Sequence, residues 1–318
     1  MKSLPERIVL HYKGHQPGPL IIIMGGVHGN EPAGIHALRE VQRMLDYEPE
    51  MNSEFRFCGQ VVGMIGNLRA VSIGERYIDV DLNRSWLAHH LEQALGDEDD
   101  FLLSEEKEMR EILTTIDGLI DTYKPEKIYL LDIHTTSAKA GLFSIVSDDP
   151  ESRRIGMDMH APVILGMIQG IQGTLMKHFT DSYRDIPVVT ATFEGGQHRE
   201  PKSVSRAVSA IINFMRSASA VYPHDVESKH DDLLQADTAY LPRMAELIYS
   251  HKIQPDDSFR MRPGYRNFQS IYSGEHLADT IDGPVLAQYD GLILMPLYQR
   301  KGTDGYYIIK EIDSRASN

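Results

Sequence analysis

Apolar runs alternate with helix-spaced segments through the first two-thirds of the chain. The runs Leu20–Met24, Gln60–Ile65, Lys127–Ile133, Leu142–Val146 and Pro187–Phe193 are short and rich in β-branched residues, which predicts strands. Between two of them, Met109, Ile112, Leu113, Ile116, Leu119, Ile120 and Tyr123 recur three and four residues apart, the period of a helix with one apolar face. Ser104 ahead of Glu105 and Glu106 marks the start of that helix. Strands that are apolar throughout need cover on both faces. The pattern therefore predicts an α/β fold, a mixed sheet with helices on both sides. A helix over about 203–215 closes this domain, and the polar stretch 217–237 reads as a connection. Beyond Tyr240 the runs are shorter and broken by turns such as Gly283-Pro284 and Asp290-Gly291. The expected organisation is a main domain over 1–222 and a small β-rich domain over 223–318, a candidate cap for a site on the first.

Composition narrows the function classes. The 318 residues are 42% hydrophobic and 25% charged, ample for a large core. A net charge of -14 repels phosphate backbones and anionic lipid heads, and there is no basic stripe to offset it, so a nucleic-acid partner is not expected. No apolar run approaches the roughly 18–20 residues that span a bilayer, so no membrane partner is expected either. The N-terminus lacks the pattern of a secretory signal, and the single cysteine, Cys58, suits a reducing compartment; both point to the cytoplasm. A homo-oligomer is compatible with all of this.

The strongest local signal follows the strand Leu20–Met24. Gly25-Gly26-Val27-His28-Gly29-Asn30-Glu31-Pro32 places an imidazole and a carboxylate, with two residues between them, in a glycine-rich loop that enters a helix. From one turn both side chains can converge on a single ion, and such nitrogen and oxygen donors suit zinc, with cobalt and nickel also tolerated. No phosphate-loop or dinucleotide pattern is present there. His134, at the end of the strand Lys127–Ile133, is the natural third ligand, because the ends of strands in α/β sheets are where active sites collect. Asp132, two residues earlier, shares its face and is a candidate to orient the imidazole. Three protein ligands are the mark of a catalytic rather than a structural zinc site. Glu194, just past the strand Pro187–Phe193 and beside Gly195 and Gly196, is the candidate general base. Arg76, Asn83 and Arg84 supply cationic and amide groups that suit a carboxylate or an oxyanion.

Taken together, His28-Gly-Asn-Glu31, Arg76-Tyr-Ile-Asp-Val-Asp-Leu-Asn-Arg84, Asp132-Ile-His134-Thr-Thr and Glu194-Gly-Gly, with Asn67-Leu-Arg69-Ala70, resemble the succinylglutamate desuccinylase/aspartoacylase family. The resemblance covers roughly the first 200 residues. It implies a catalytic domain of zinc carboxypeptidase-like fold with one zinc per chain on His28, Glu31 and His134, and Glu194 as general acid/base. It also implies that Arg76 polarises the scissile carbonyl, and that Asn83 and Arg84 hold the substrate's α-carboxylate. Arg184, ten residues before Glu194, would read a second carboxylate. The implied reaction is removal of the acyl group from a small anionic N-acyl amino acid, zinc-activated water attacking the amide carbonyl. The alternative with the same residues is a zinc metallocarboxypeptidase acting on peptides. Three departures stand out: Gly196-Gln197 follows where the family has Gly-Pro, Thr135 follows His134 directly where the family has an Asn between His and Thr-Thr, and no counterpart is identifiable of the C-terminal tyrosine that some members add to the site.

Overall fold

The computed structural model describes residues 6–96, 101–254 and 256–313. The strands of the first half are β1 (Ile8–Lys13), β2 (Gln16–Gly25), β3 (Cys58–Ile65), β4 (Ile128–Thr136), β5 (Phe143–Val146), β6 (Val163–Leu165), β7 (Asp181–Tyr183) and β8 (Ile186–Gln197). The C-terminal part adds β9 (Met244–Lys252), β10 (Arg260–Met261), β11 (Gln269–Ile271), β12 (His276–Thr280), β13 (Gly283–Leu286), β14 (Gly291–Leu294) and β15 (Asp304–Glu311). One mixed sheet runs β1-β3-β2-β4-β8-β5-β6-β9-β15-β14-β11, with β7 paired to β8; β10, β12 and β13 form a separate small sheet.

Parallel pairing of β3, β2, β4 and β8 is what positions the chemistry. Their C-terminal ends share one edge, so the loops leaving them meet there. The strands are apolar because both faces are covered. On β2, Ile21 and Ile23 pack with the helices Ala33–Met51 and Lys202–Ser217, while Leu20, Ile22 and Met24 pack with the helix Ser104–Tyr123 on the other side. The five strands and two helices expected from the pattern are all present.

The C-terminal β-rich region is also present, and its strands extend the main sheet: β9 pairs parallel with β6, and β15 antiparallel with β9. The stretch expected as a plain connection differs. It contains a helix, Lys229–Thr238, which buries Leu234 and sets His230 Nδ1 3.1 Å from Ser209 Oγ of the neighbouring helix. Its apolar residues are too few to set a period, and acids occupy its first turn. Among the described residues no helix is long and apolar enough to cross a membrane.

Leu131 is fully buried at the centre of β4, under the helices of one face. Leu131→Ala is expected to cost about 2–5 kcal/mol, from the lost burial and the cavity left behind. A urea titration should show a lower midpoint with an unchanged slope.

Candidate metal centre and active site

His28 and Glu31 lie in the tight turn between β2 and the helix Ala33–Met51. The turn is closed by Glu31 N–H donating to the His28 carbonyl at 3.1 Å, and tied to the next loop by Gly29 N–H on the Arg76 carbonyl at 3.1 Å. Gly29 is required here: a Cβ would lie 2.2–2.4 Å from backbone atoms of Ala70 and Glu75. Gly26, at φ +68°, makes the bend before it.

His134 arrives from β4, where the register places it beside Glu194 of β8. The three groups proposed from the sequence then converge: one ligand atom from each of His28, Glu31 and His134 lies within 4.8 Å of the others, and all three residues are buried. Glu31 Oε1 is 2.9 Å from His28 Nδ1, and Oε2 is 3.2 Å from His134 Nδ1. The far nitrogens meet carboxylates, His28 Nε2 at 3.1 Å from Asp81 Oδ1 and His134 Nε2 at 2.6 Å from Asp132 Oδ2. An Nε2–H donated outward leaves each Nδ1 lone pair facing Glu31, the arrangement by which ligating histidines are oriented. Asp132 was visible as that orienting group in the sequence; Asp81 was not, because its partner is 53 residues away. The donor set, two imidazole nitrogens and a carboxylate, fits zinc. Burial would raise the Glu31 carboxyl, but His28 and the hydrogen bond from His134 hold it well below the usual range. His134 is shifted well above its usual value: burial opposes this, and Asp132 and Glu31 overcome it.

The loop carrying Arg76 and Asp81 has no regular structure, and one buried side chain organises it. Glu105, in the first turn of the helix Ser104–Tyr123, accepts N–H groups from Ile78 (2.8 Å), Asp79 (3.0 Å) and Val80 (3.2 Å) and the side-chain amide of Asn67 (3.0 Å). Asp81 in turn accepts the Asn83 N–H at 2.9 Å and starts the short turn Leu82–Arg84. Arg76 reaches Asp81 Oδ2 through Nε at 3.1 Å and Glu31 Oε1 through Nη1 at 3.3 Å. Asn83 Nδ2 stands 3.4 Å from His134 Nε2.

Glu194 is buried in the same cavity, and its Oε2 has no protein partner. An orphaned carboxylate oxygen beside the cluster leaves one acceptor free for a ligand or a proton. Burial pushes the Glu194 carboxyl up to about 8; the His134 ring opposes the shift and Glu31 and Asp132 reinforce it.

The match to known proteins follows this geometry. Residues 17–218, more than half of the chain, match the family described as the succinylglutamate desuccinylase/aspartoacylase catalytic domain. The chain belongs to this family. A protein named "Probable aspartoacylase" from Nostoc sp. is 30% identical over 85% of this chain and 87% of its own length. An "N-acyl-aromatic-L-amino acid amidohydrolase (carboxylate-forming)" from Rattus norvegicus is 28% identical over 41% of this chain and 38% of its own. The crystal structure of a succinylglutamate desuccinylase/aspartoacylase from Rhodobacter sphaeroides shares the fold, with a TM-score of 0.63 at 15% identity, covering 96% of this chain and 88% of that one.

The matched segment holds His28, Glu31, Arg76, Asn83, Arg84, His134 and Glu194, and all seven line one cavity. Arg184 is not among them. It sits in the turn before β8, at the opposite end of the strand from Glu194, exposed and paired with Asp117 (3.2 Å) and Asp121 (2.8 Å). The extended strand from Ile186 to Glu194 alone spans roughly 26 Å, so Arg184 lies outside this cavity. The C-terminal region contributes what the sequence did not reveal: Asp304 accepts from Arg84, and Tyr307 lines the cavity with its hydroxyl 3.5 Å from Arg84 Nη2. Here is a C-terminal tyrosine in the site. No local motif marks it, since β15 reaches the cavity only through long-range pairing. His198 links the two regions, with Nδ1 2.7 Å from Thr135 Oγ1 and Nε2 3.2 Å from Gln299 Oε1.

Two outcomes follow. Glu105→Gln turns one acceptor oxygen into a donor facing backbone N–H groups, and is expected to destabilise the protein by about 1–3 kcal/mol and to impair any activity that depends on Arg76 and Asp81. Denaturant titration and turnover of the variant check this together. For Glu194 in metal-free protein, the folded state keeps the proton to about pH 8, while the unfolded chain loses it near about 4.3. The stability this gives is complete below the unfolded value and is lost as pH rises towards 8. Glu194→Gln, which cannot titrate, should therefore gain on wild type as pH rises from about 5 to 8. Denaturant titrations at the two pH values read the gap, and a constant gap would contradict the shift.

Proposed function

We propose that this protein is a zinc-dependent amidohydrolase that removes the acyl group from a small N-acyl amino acid. The observation that carries the reading is the convergence of His28, Glu31 and His134 in one cavity with a buried carboxylate, Glu194, whose outer oxygen is free. Family membership supports it, as do relatives named for deacylation of amino acids.

His28, Glu31 and His134 would hold the zinc, and Asp81 and Asp132 keep the two imidazoles turned inward. Zinc in such a site supplies a Lewis acid and lowers the pKa of water towards about 7. Glu194 takes the proton of the attacking water on its carboxylate and passes it to the leaving amine nitrogen. A dication held by His28, Glu31 and His134 would favour the ionised form of Glu194, which a base requires. Arg76 places its guanidinium at the cavity wall, where it stabilises negative charge developing on the carbonyl oxygen. Asn83 and Arg84 bind the substrate's carboxylate; Arg84 keeps one Nη1 hydrogen free after its contacts with Asp304, Tyr307 and the Asn83 carbonyl.

The peptide-cleaving alternative needs a cleft open to a chain. Instead, Met295, Leu297, Gln299, Asp304 and Tyr307 of the C-terminal region wall the cavity, which favours a small substrate.

Metal analysis and hydrolysis of N-acyl amino acids by wild type and Glu194→Ala test the proposal. Near-stoichiometric zinc in both proteins is expected, with about 10²–10⁴-fold slower turnover in the variant. Chelation should abolish wild-type turnover and zinc should restore it. A chelated enzyme at full activity would overturn the reading.

A further inference from the structure

Away from the metal cluster, the cavity wall divides into an ion-paired corner and an apolar face. In the corner, Arg84 gives Nε and Nη2 to Asp304 Oδ2 at 3.0 and 2.7 Å, and Nη1 to the Asn83 carbonyl at 2.6 Å. Asp304 is buried, and its other oxygen takes Lys252 Nζ. The other guanidinium in the cavity, Arg76, already lies on Asp81 and Glu31. Among the described residues no further arginine or lysine lines this cavity. The apolar face is built by Ile145, Met167, Ile168, Ile171, Met295 and Leu297, drawn from β5, the segment after β6 and the C-terminal region.

From this division we infer that the substrate carries a single carboxylate and an apolar side group, an N-acylated hydrophobic amino acid, and that Asp304 is the specificity-determining residue that excludes a second carboxylate. The inference deepens the amidohydrolase reading and rests on it. One N–H of Arg84 suffices for one carboxylate, held end-on. A second carboxylate finds the rest of the guanidinium occupied by Asp304, an anion of its own sign. Burying it there without a free cation costs several kcal/mol. An apolar group in the same space meets isoleucine, methionine and leucine side chains and gains about 25 cal/mol per Å² removed from water. Discrimination thus comes from a repulsive element as well as an attractive one. Asp304 is presented by β15, so the C-terminal region sets the choice of substrate while the reacting groups stay in the turn after β2 and on β4 and β8.

The test compares kcat/KM of the zinc-loaded full chain on N-acetyl-L-leucine, N-acetyl-L-phenylalanine and N-acetyl-L-aspartate. Wild type should prefer the apolar substrates by at least about tenfold. Asp304→Asn keeps the shape and removes the anion beside Arg84, and should narrow that preference about tenfold, chiefly through a lower KM on N-acetylaspartate. Leu297→Ala, independent of the ion pair, should lower kcat/KM on N-acetylleucine about tenfold, a larger loss than on N-acetylaspartate. Equal or better turnover of N-acetylaspartate by wild type would overturn the inference and leave the amidohydrolase reading standing. An unchanged preference in Asp304→Asn would remove Asp304 from the account. No turnover of any N-acyl amino acid by zinc-loaded wild type would bring down the amidohydrolase reading, and this inference with it.

Discussion

The buried carboxylate of Glu31 is the contact on which the site depends. Its two oxygens face both imidazoles, at 2.9 and 3.2 Å from Nδ1 of His28 and His134, and accept from the Thr135 backbone N–H at 2.8 Å and from Arg76. These partners come from three separate stretches: the turn after β2, the end of β4, and the loop around residue 76. A charged group this deep is tolerable only when it is fully paired. The pairing therefore holds the turn, the strand end and the loop together. Under the proposed function, a cation would sit among the lone pairs of His28, Glu31 and His134.

That arrangement follows from the sheet. Parallel β2, β4 and β8 bring their C-terminal ends to one edge, and the β4–β8 register sets His134 opposite Glu194. The helices on either face hold those strands in place through ordinary apolar packing. Glu105 does for the irregular loop what hydrogen-bond ladders do for strands, by accepting its unpaired backbone N–H groups from one buried carboxylate.

Much of this was legible in the sequence because its causes are local. A run such as Leu20–Met24 carries its strand signal within itself, and Gly26, at φ +68°, makes the bend before His28. Glu194 could be picked out because a strand end with glycines beside it admits a ligand. What escaped depends on distance along the chain. Asp81 meets His28, Glu105 meets residues 78–80, and Asp304 and Tyr307 meet Arg84 only after folding. Arg184 differs for the converse reason: it lies in the turn at the far end of β8, distant in space from Glu194 although close in sequence. The helix Lys229–Thr238 was hidden by its lack of an apolar stripe.

The central claim is that His28, Glu31 and His134 bind one zinc ion, and anomalous diffraction at the zinc edge from crystals of the zinc-loaded protein tests it most directly. The account predicts a single strong peak within bonding distance of His28 Nδ1, His134 Nδ1 and a Glu31 oxygen, about 2.0–2.2 Å from each. Zinc bound elsewhere, or a loaded crystal with no peak between these three residues, would contradict it.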